Sequence, residues 1–208
     1  HVLKTVPSIA CEDTRMTRDL LRHLAINPPD LYSVREHNER TAAEAVVARI
    51  ARGEAVAYVS DAGTPAISDP GARLVAAVRE AGFQIFPVPG ASAVTAVLSA
   101  AGLESTAFTF LGFAPTSNCE LATFADAIAA RTETTVFFES PLRVEKTLPI
   151  LAKALPAERR IVIGRELTKK FETISATTAG YLAAWIEANV ERMRGEFVIV
   201  VEGAPQAQ

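Results

Sequence analysis

The sequence predicts an α/β protein of two domains. Short apolar runs alternate with amphipathic stretches of helical period along the chain, and turn residues, glycine above all, mark the junctions between them. The 208 residues are enough for a sizeable core, yet no apolar run approaches the length that crosses a bilayer. Hydrophobic residues at 49% and charged residues at 22% fit a globular chain.

Residues 1–5 read as the tail of a helix entering a strand at 7–10. Asp13 or Thr14 then caps a helix that runs to about Leu24, with Arg15, Arg18 and Arg22 on one face and Met16, Leu20, Leu21 and Leu24 on the other. A weaker strand at 31–34 and a helix at 41–51, stopped by Gly53, come next. The apolar strand 55–59 empties into a long loop of small residues at 60–71, followed by a helix at 72–81 that Gly82 ends. Strand 84–88 leads through Pro89 and Gly90 into a helix at 92–101. After an apolar stretch at 108–113 the texture changes, and the domain join is expected near Pro115, giving domains 1–115 and 116–208. The second opens with a helix at 120–130 and a strand at 135–138. A helix from Leu142 or Arg143 carries Val144, Leu148, Leu151 and Leu155 on one face. Strand 160–163, a helix at 181–190 with Leu182, Trp185 and Ile186 inward, and a Val- and Ile-rich strand at 197–201 complete the chain.

Several function classes lose ground. A net charge of −3 argues against a wholly basic nucleic-acid coat, while the Arg15, Arg18 and Arg22 face is either a local phosphate contact or a solvated surface. Cys11 and Cys119 lie far apart and His1, His23 and His37 are scattered, so neither a disulfide framework nor a metal site is indicated; a reducing cytoplasm fits. No phosphate loop, dinucleotide fingerprint, zinc-protease pair or nucleophile elbow is present.

The informative segments sit at expected strand ends. Small residues in loop 60–71 and turn 89–92 let backbone N–H groups approach a ligand, at the sheet edge where open α/β folds bind small molecules. Asp61, Ser68 and Ser92 taken singly also fit helix caps or local turns, but a loop this long exceeds what a simple strand-to-helix connection needs. Three polar clusters, at Glu12 to Arg15, Glu139 to Arg143 and Arg165 to Lys170, follow strands. Each serves either as a cap with a local ion pair or as a source of general bases and phosphate grips.

These segments, with Phe110-Leu111-Gly112-Phe113 and Gly195-Glu196-Phe197-Val198, resemble in order the rRNA-modifying branch of the tetrapyrrole methylase family. The resemblance implies a two-domain α/β tetrapyrrole methylase-like fold, usually a homodimer, with a cleft between the domains for the cofactor S-adenosylmethionine. It implies methylation of a cytidine ribose 2′-oxygen in 16S rRNA, near the decoding centre of the small ribosomal subunit. The cofactor would lie against Asp61, Ala62, Gly63, Thr64, Ser68, Pro89, Gly90, Ala91, Ser92 and Phe113. RNA would meet Arg15, Arg18, Arg143, Arg165 and Lys169, and Glu139, Glu166 or, third, Asp13 would order or deprotonate the ribose hydroxyl, without a metal. The family usually opens with a strand and an Ile-Gly-Asn-Leu type loop that has no match here, so a segment is expected to precede His1. Leu142 stands where the family often has His, and the segment after Pro115 lacks the family's Arg. Two rival functions are a tetrapyrrole-type small-molecule methyltransferase and a noncatalytic RNA-binding module.

Overall fold

A computed structural model describes residues 1–27, 29–104, 107–188 and 193–205. The chain divides into two compact units, His1–Ala91 and Ser92–Gln208. In the first, β1 (Ser8–Cys11), β2 (Asp30–Ser33) and β3 (Val56–Val59) form a three-stranded parallel sheet in the order β2-β1-β3. Around it lie α1 (Val2–Thr5), α2 (Thr14–His23), α3 (Glu39–Ala51) and α4 (Ala72–Glu80). The central strand is buried along its whole length, as helices on both faces require. Ile9 and Cys11 turn to Leu21 of α2, and Ala10 turns to Ala42, Ala43 and Val46 of α3 and to Leu74 and Val78 of α4.

Two expectations are corrected in this unit. On α2, Thr17 and Leu21 face the core, whereas Met16, Leu20 and Leu24 are exposed. The contact with the narrow sheet is one residue wide per turn, so the rest of the apolar stripe stays in solvent. Residues 84–88 form no strand, and Phe86 and Val88 are 77% and 69% exposed. β3 is the edge of this sheet among the described residues, and Pro87 and Pro89 lack the N–H groups a ladder needs.

The second unit runs α5 (Ala93–Ala101), β4 (Phe108–Phe113), α6 (Asn118–Ala130), β5 (Thr134–Glu139), α7 (Val144–Ala154), β6 (Arg160–Arg165), β7 (Thr173–Thr178), α8 (Leu182–Ala188) and β8 (Phe197–Val201). Its five-stranded sheet has the order β4-β5-β8-β6-β7, parallel between β4 and β5 and antiparallel elsewhere. Alternation along the strands sorts the core: Phe137, Ile161, Ile163, Phe197, Ile199 and Val201 pack toward α6, α7 and α8. Val136, Val162, Val198 and Val200 pack toward Val94, Val97 and Ala101 of α5.

That second face explains why the join falls at Ala91 and Ser92 rather than at the proposed Pro115. α5 covers the second sheet and β4 pairs with β5, so both belong to the unit that follows them. β7, a threonine-rich strand without an apolar run, escapes periodicity and forms through its antiparallel ladder with β6. The last two residues of the helix expected at 181–190 lie outside the described residues. Among the described residues no helix is long and apolar enough to cross a membrane.

Gly164 marks where α5 crosses β6. A Cβ there would lie 2.8 Å from Val198 Cγ1 and 3.1 Å from Val97 Cγ2. Gly164→Val is therefore expected to lower stability by about 1–3 kcal/mol through overpacking. Urea unfolding measures this, and an unchanged midpoint would contradict the close approach of α5 to the sheet.

Candidate functional site

Parallel pairing brings the carboxyl ends of β1, β2 and β3 to one edge of the first unit. The residues leaving β1 and β3 are braced against each other there. The Asp13 N–H donates to Asp61 Oδ1 at 3.1 Å, and the Asp61 N–H donates to Glu12 Oε2 at 3.3 Å. Asp13 also caps α2, its Oδ1 accepting the Arg15 N–H at 2.8 Å. The guanidiniums of Arg15 and Arg35 lie 2.6 and 3.6 Å from Asp13 Oδ2. Hydrogen bonds from the Arg15 side chain and backbone hold the Asp13 carboxyl well below the usual carboxylate range. Arg15 remains 80% exposed at its side chain. Arg18 is exposed too, beside Arg22, Ala25, Ile26 and Asn27 on a surface hollow.

Loop 60–71 has a defined internal shape. Gly63, Ala66 and Ser68 take positive φ values of 68°, 66° and 62°, unusual for the two with side chains. The Ile67 N–H donates to the Thr64 carbonyl at 3.3 Å, and the Ala66 N–H to the Pro70 carbonyl at 3.2 Å. The Thr64 hydroxyl donates to the Ala91 carbonyl at 2.9 Å, joining this loop to the turn at 89–91. Asp61, Ala62, Gly63, Thr64, Ser68, Pro89, Gly90 and Ala91 are all exposed. Ser92 precedes α5 but makes no side-chain cap bond. A Cβ at Gly90 would meet nothing nearer than the Val88 carbonyl at 4.0 Å, so the fold itself leaves that space open.

In the second unit, the carboxyl ends of β5 and β6 meet the start of β8. The Glu139 side chain is wholly buried: Oε1 accepts the Ser140 N–H at 2.7 Å and Arg143 Nη2 at 2.7 Å, and Oε2 accepts the Thr147 hydroxyl at 2.6 Å. Arg143, 23% exposed, donates further to the Ala114 carbonyl and to Ser140 Oγ. Glu166 and Thr168 take positive φ values of 49° and 66°. Glu166 Oε1 accepts the Glu196 N–H at 2.8 Å and Lys169 Nζ at 3.2 Å, while Lys169 also reaches Glu196 at 2.8 Å. Gly195 has room for no side chain, since its Cβ would stand 2.7 Å from Glu166 Cδ. Arg165 donates to the carbonyls of Arg194 and Phe171. Phe113, exposed at the end of β4, makes an edge contact with Phe138 at 5.5 Å between centroids.

The geometry separates the expected site residues into two kinds. Loop 61–64 and turn 89–91 present main chain to solvent and are tied together. Glu139, Arg143 and Arg165 instead hold loops in place; Glu139 is closed off from any substrate hydroxyl, and the two guanidiniums are engaged with carbonyls and a carboxylate. Glu12 belongs to the first of the expected polar clusters, whereas Arg35 was missed, although the signal was present: it is a charged residue just beyond β2, and its guanidinium reaches the Glu12 carbonyl and Asp13. Among the described residues no group of three or more His, Cys, Asp or Glu side chains could hold a metal ion.

A parallel sheet with a shaped small-residue loop at its edge, followed by a mixed five-stranded sheet, makes this an α/β protein of two units. The chain belongs to the tetrapyrrole methylase family: residues 1–183 match the family described as Tetrapyrrole (Corrin/Porphyrin) Methylases. It is 45% identical over 204 residues to the ribosomal RNA small subunit methyltransferase I of Xylella fastidiosa, covering 98% of this chain and 74% of that protein. Identity to the protein of the same name from Escherichia coli O157:H7 is 43% over 203 residues, covering 98% and 71%. In fold it is similar to a cobalt precorrin-4 methyltransferase, with a TM-score of 0.65 at 20% identity over 97% of this chain and 85% of the other. The uroporphyrin-III C-methyltransferase of Thermus thermophilus gives 0.63 at 19% identity, over 97% and 84%.

The Glu196 N–H, with Lys169 beside it, holds the Glu166 carboxyl below its usual range. A carboxyl lowered by folding contributes stability above its unfolded value of about 4.3, and that contribution fades as pH falls through the lower folded value. Carboxyl carbon NMR is expected to place the Glu166 midpoint below that of an ordinary glutamate, and the stability gap between wild type and Glu166→Gln should shrink as acid is added. A midpoint at or above the ordinary value would contradict this arrangement.

Proposed function

We propose that this protein methylates the small-subunit ribosomal RNA, using S-adenosylmethionine, at the ribose 2′-oxygen of a cytidine near the decoding centre. It acts in the cytoplasm on 16S rRNA or the small subunit, as a homodimer. The observation that carries the cofactor half is the Thr64 to Ala91 hydrogen bond, which joins two exposed main-chain segments beside a glycine with open space around it. Such a cradle suits a ligand read by backbone groups. The residues that would hold the cofactor are Asp61, Ala62, Gly63, Thr64, Ser68, Pro89, Gly90, Ala91 and Ser92. When bound, S-adenosylmethionine supplies a methyl group on a sulfonium, electrophilic enough for a hydroxyl oxygen to attack.

The chain's own part is positioning, which can supply much of the barrier reduction in a two-reactant step. Arg15 and Arg18, both exposed, grip RNA phosphate, with Lys169 as a further cation. Arg143 and Arg165 shape the loops around them. Glu166, anchored through Oε1, orders the ribose hydroxyl with its carboxylate and takes up the proton that leaves the oxygen as the new carbon–oxygen bond forms. Asp13 keeps Arg15 and Arg35 in place, and Glu139 does the same for Arg143.

Gly90→Val should fold normally and lose S-adenosylmethionine binding by calorimetry; full affinity in the folded variant would contradict the cradle. Arg15→Ala and Arg18→Ala should each weaken rRNA binding, lowering the salt slope by about one per lost phosphate contact while leaving cofactor affinity intact. Wild-type affinity and slope in both would make these arginines bystanders.

A further inference from the structure

We propose that Glu39, outside the residues assigned to binding or catalysis above, is a positioning residue for the cofactor loop. It rests on the reading that loop 60–71 holds S-adenosylmethionine. Glu39 is the first residue of α3 and is buried, yet its carboxylate serves a different helix. Oε1 accepts the N–H groups of Gly71 at 2.9 Å, Arg73 at 2.8 Å and Leu74 at 3.3 Å. These are donors at the start of α4, a helix whose own N-cap, Gly71, has no side chain to satisfy them.

Gly71 has that identity for a reason found in the same place. Its φ is +129°, and any Cβ would collide with the Tyr58 ring. Tyr58 Oη donates to the Pro70 carbonyl at 2.6 Å, the same oxygen that accepts the Ala66 N–H. The exit of the loop is thus held from two sides, by Tyr58 from β3 and by Glu39 from α3. The entry is held by the Asp61 brace to Glu12 and Asp13. Between these anchors Ala66 and Ser68 keep left-handed backbone, which persists only where the surroundings impose it. Releasing the Glu39 anchor frees the loop to relax, and ligand binding must then restore its order.

Because the three contacts use one oxygen acceptor, substitutions at this position separate hydrogen bonding from charge. Glu39→Gln keeps an acceptor of the same reach, Glu39→Asp is one methylene too short, and Glu39→Ala removes it. Val46→Ala, a cavity variant in the same helix and core, supplies a control that destabilises without touching the loop. Hydrogen exchange of residues 62–70 in the ligand-free protein and calorimetry with S-adenosylmethionine are the two readouts. Glu39→Ala should exchange faster than Val46→Ala across the loop and bind the cofactor about five- to tenfold more weakly, with Glu39→Asp between and Glu39→Gln near wild type. If Glu39→Ala does not fold, Glu39→Asp carries the comparison. Loop protection and affinity equal to those of the Val46→Ala control would overturn the positioning role. Wild-type protein without cofactor affinity would instead overturn the functional reading, and exchange alone would then decide the role of Glu39.

Discussion

Carboxylates accepting backbone N–H groups at the ends of strands and the starts of helices organise this molecule. A strand that gives way to a helix leaves several N–H donors without an intrahelical partner, and burial of such donors is unfavourable unless an acceptor meets them. Glu12 accepts from Asp61, Asp61 from Asp13, Asp13 from Arg15, and Glu39 from the first turn of α4. In the second unit Glu139 accepts from Ser140, Glu166 from Glu196, and Glu172 from Thr168. The acidic residues that look most like catalytic groups are for this reason mainly structural acceptors.

The same interaction determines what is left for a ligand. With the acidic side chains turned to backbone donors, the exposed groups of loop 61–64 and turn 89–91 are main chain, small side chains and one threonine hydroxyl already directed to Ala91. Among the described residues, left-handed backbone outside glycine occurs at Ala25, Ala66, Ser68, Glu166 and Thr168. All but Ala25 fall in loop 60–71, which is anchored at both ends, or in the turn that carries Glu166. Preorganisation of this kind lowers the ordering cost of binding and holds reacting groups in place.

Much of this could be read from the residues. The alternation of strands and helices located most elements, because buried parallel strands and amphipathic helices carry strong periodic signals. The polar clusters beyond each strand were visible too, since strand ends and turn residues mark them. Side-chain partnership was not visible. Nothing in Glu139-Ser140-Pro141-Leu142-Arg143 says that Arg143 folds back on Glu139 and the Ala114 carbonyl rather than toward solvent. Glu39 lies 32 residues from the glycine it caps, a separation at which pattern reading is blind; the one available hint is a helix beginning at a glycine with no side-chain cap. Residues 84–88 failed for the opposite reason: local β character is insufficient where prolines remove donors and no ladder partner is at hand. The early domain join was hidden because α5 takes its partners from strands far along the chain.

The claim that this chain is a ribose methyltransferase of the small-subunit rRNA is tested most directly by the chemical identity of its product. Small subunits lacking the modification are incubated with the protein and S-adenosylmethionine bearing a labelled methyl group, and the RNA is then digested to nucleosides. Label in 2′-O-methylcytidine from 16S rRNA is the expected result. Label in a base-methylated nucleoside, or no transfer to RNA alongside methylation of a tetrapyrrole by the same preparation, would contradict it.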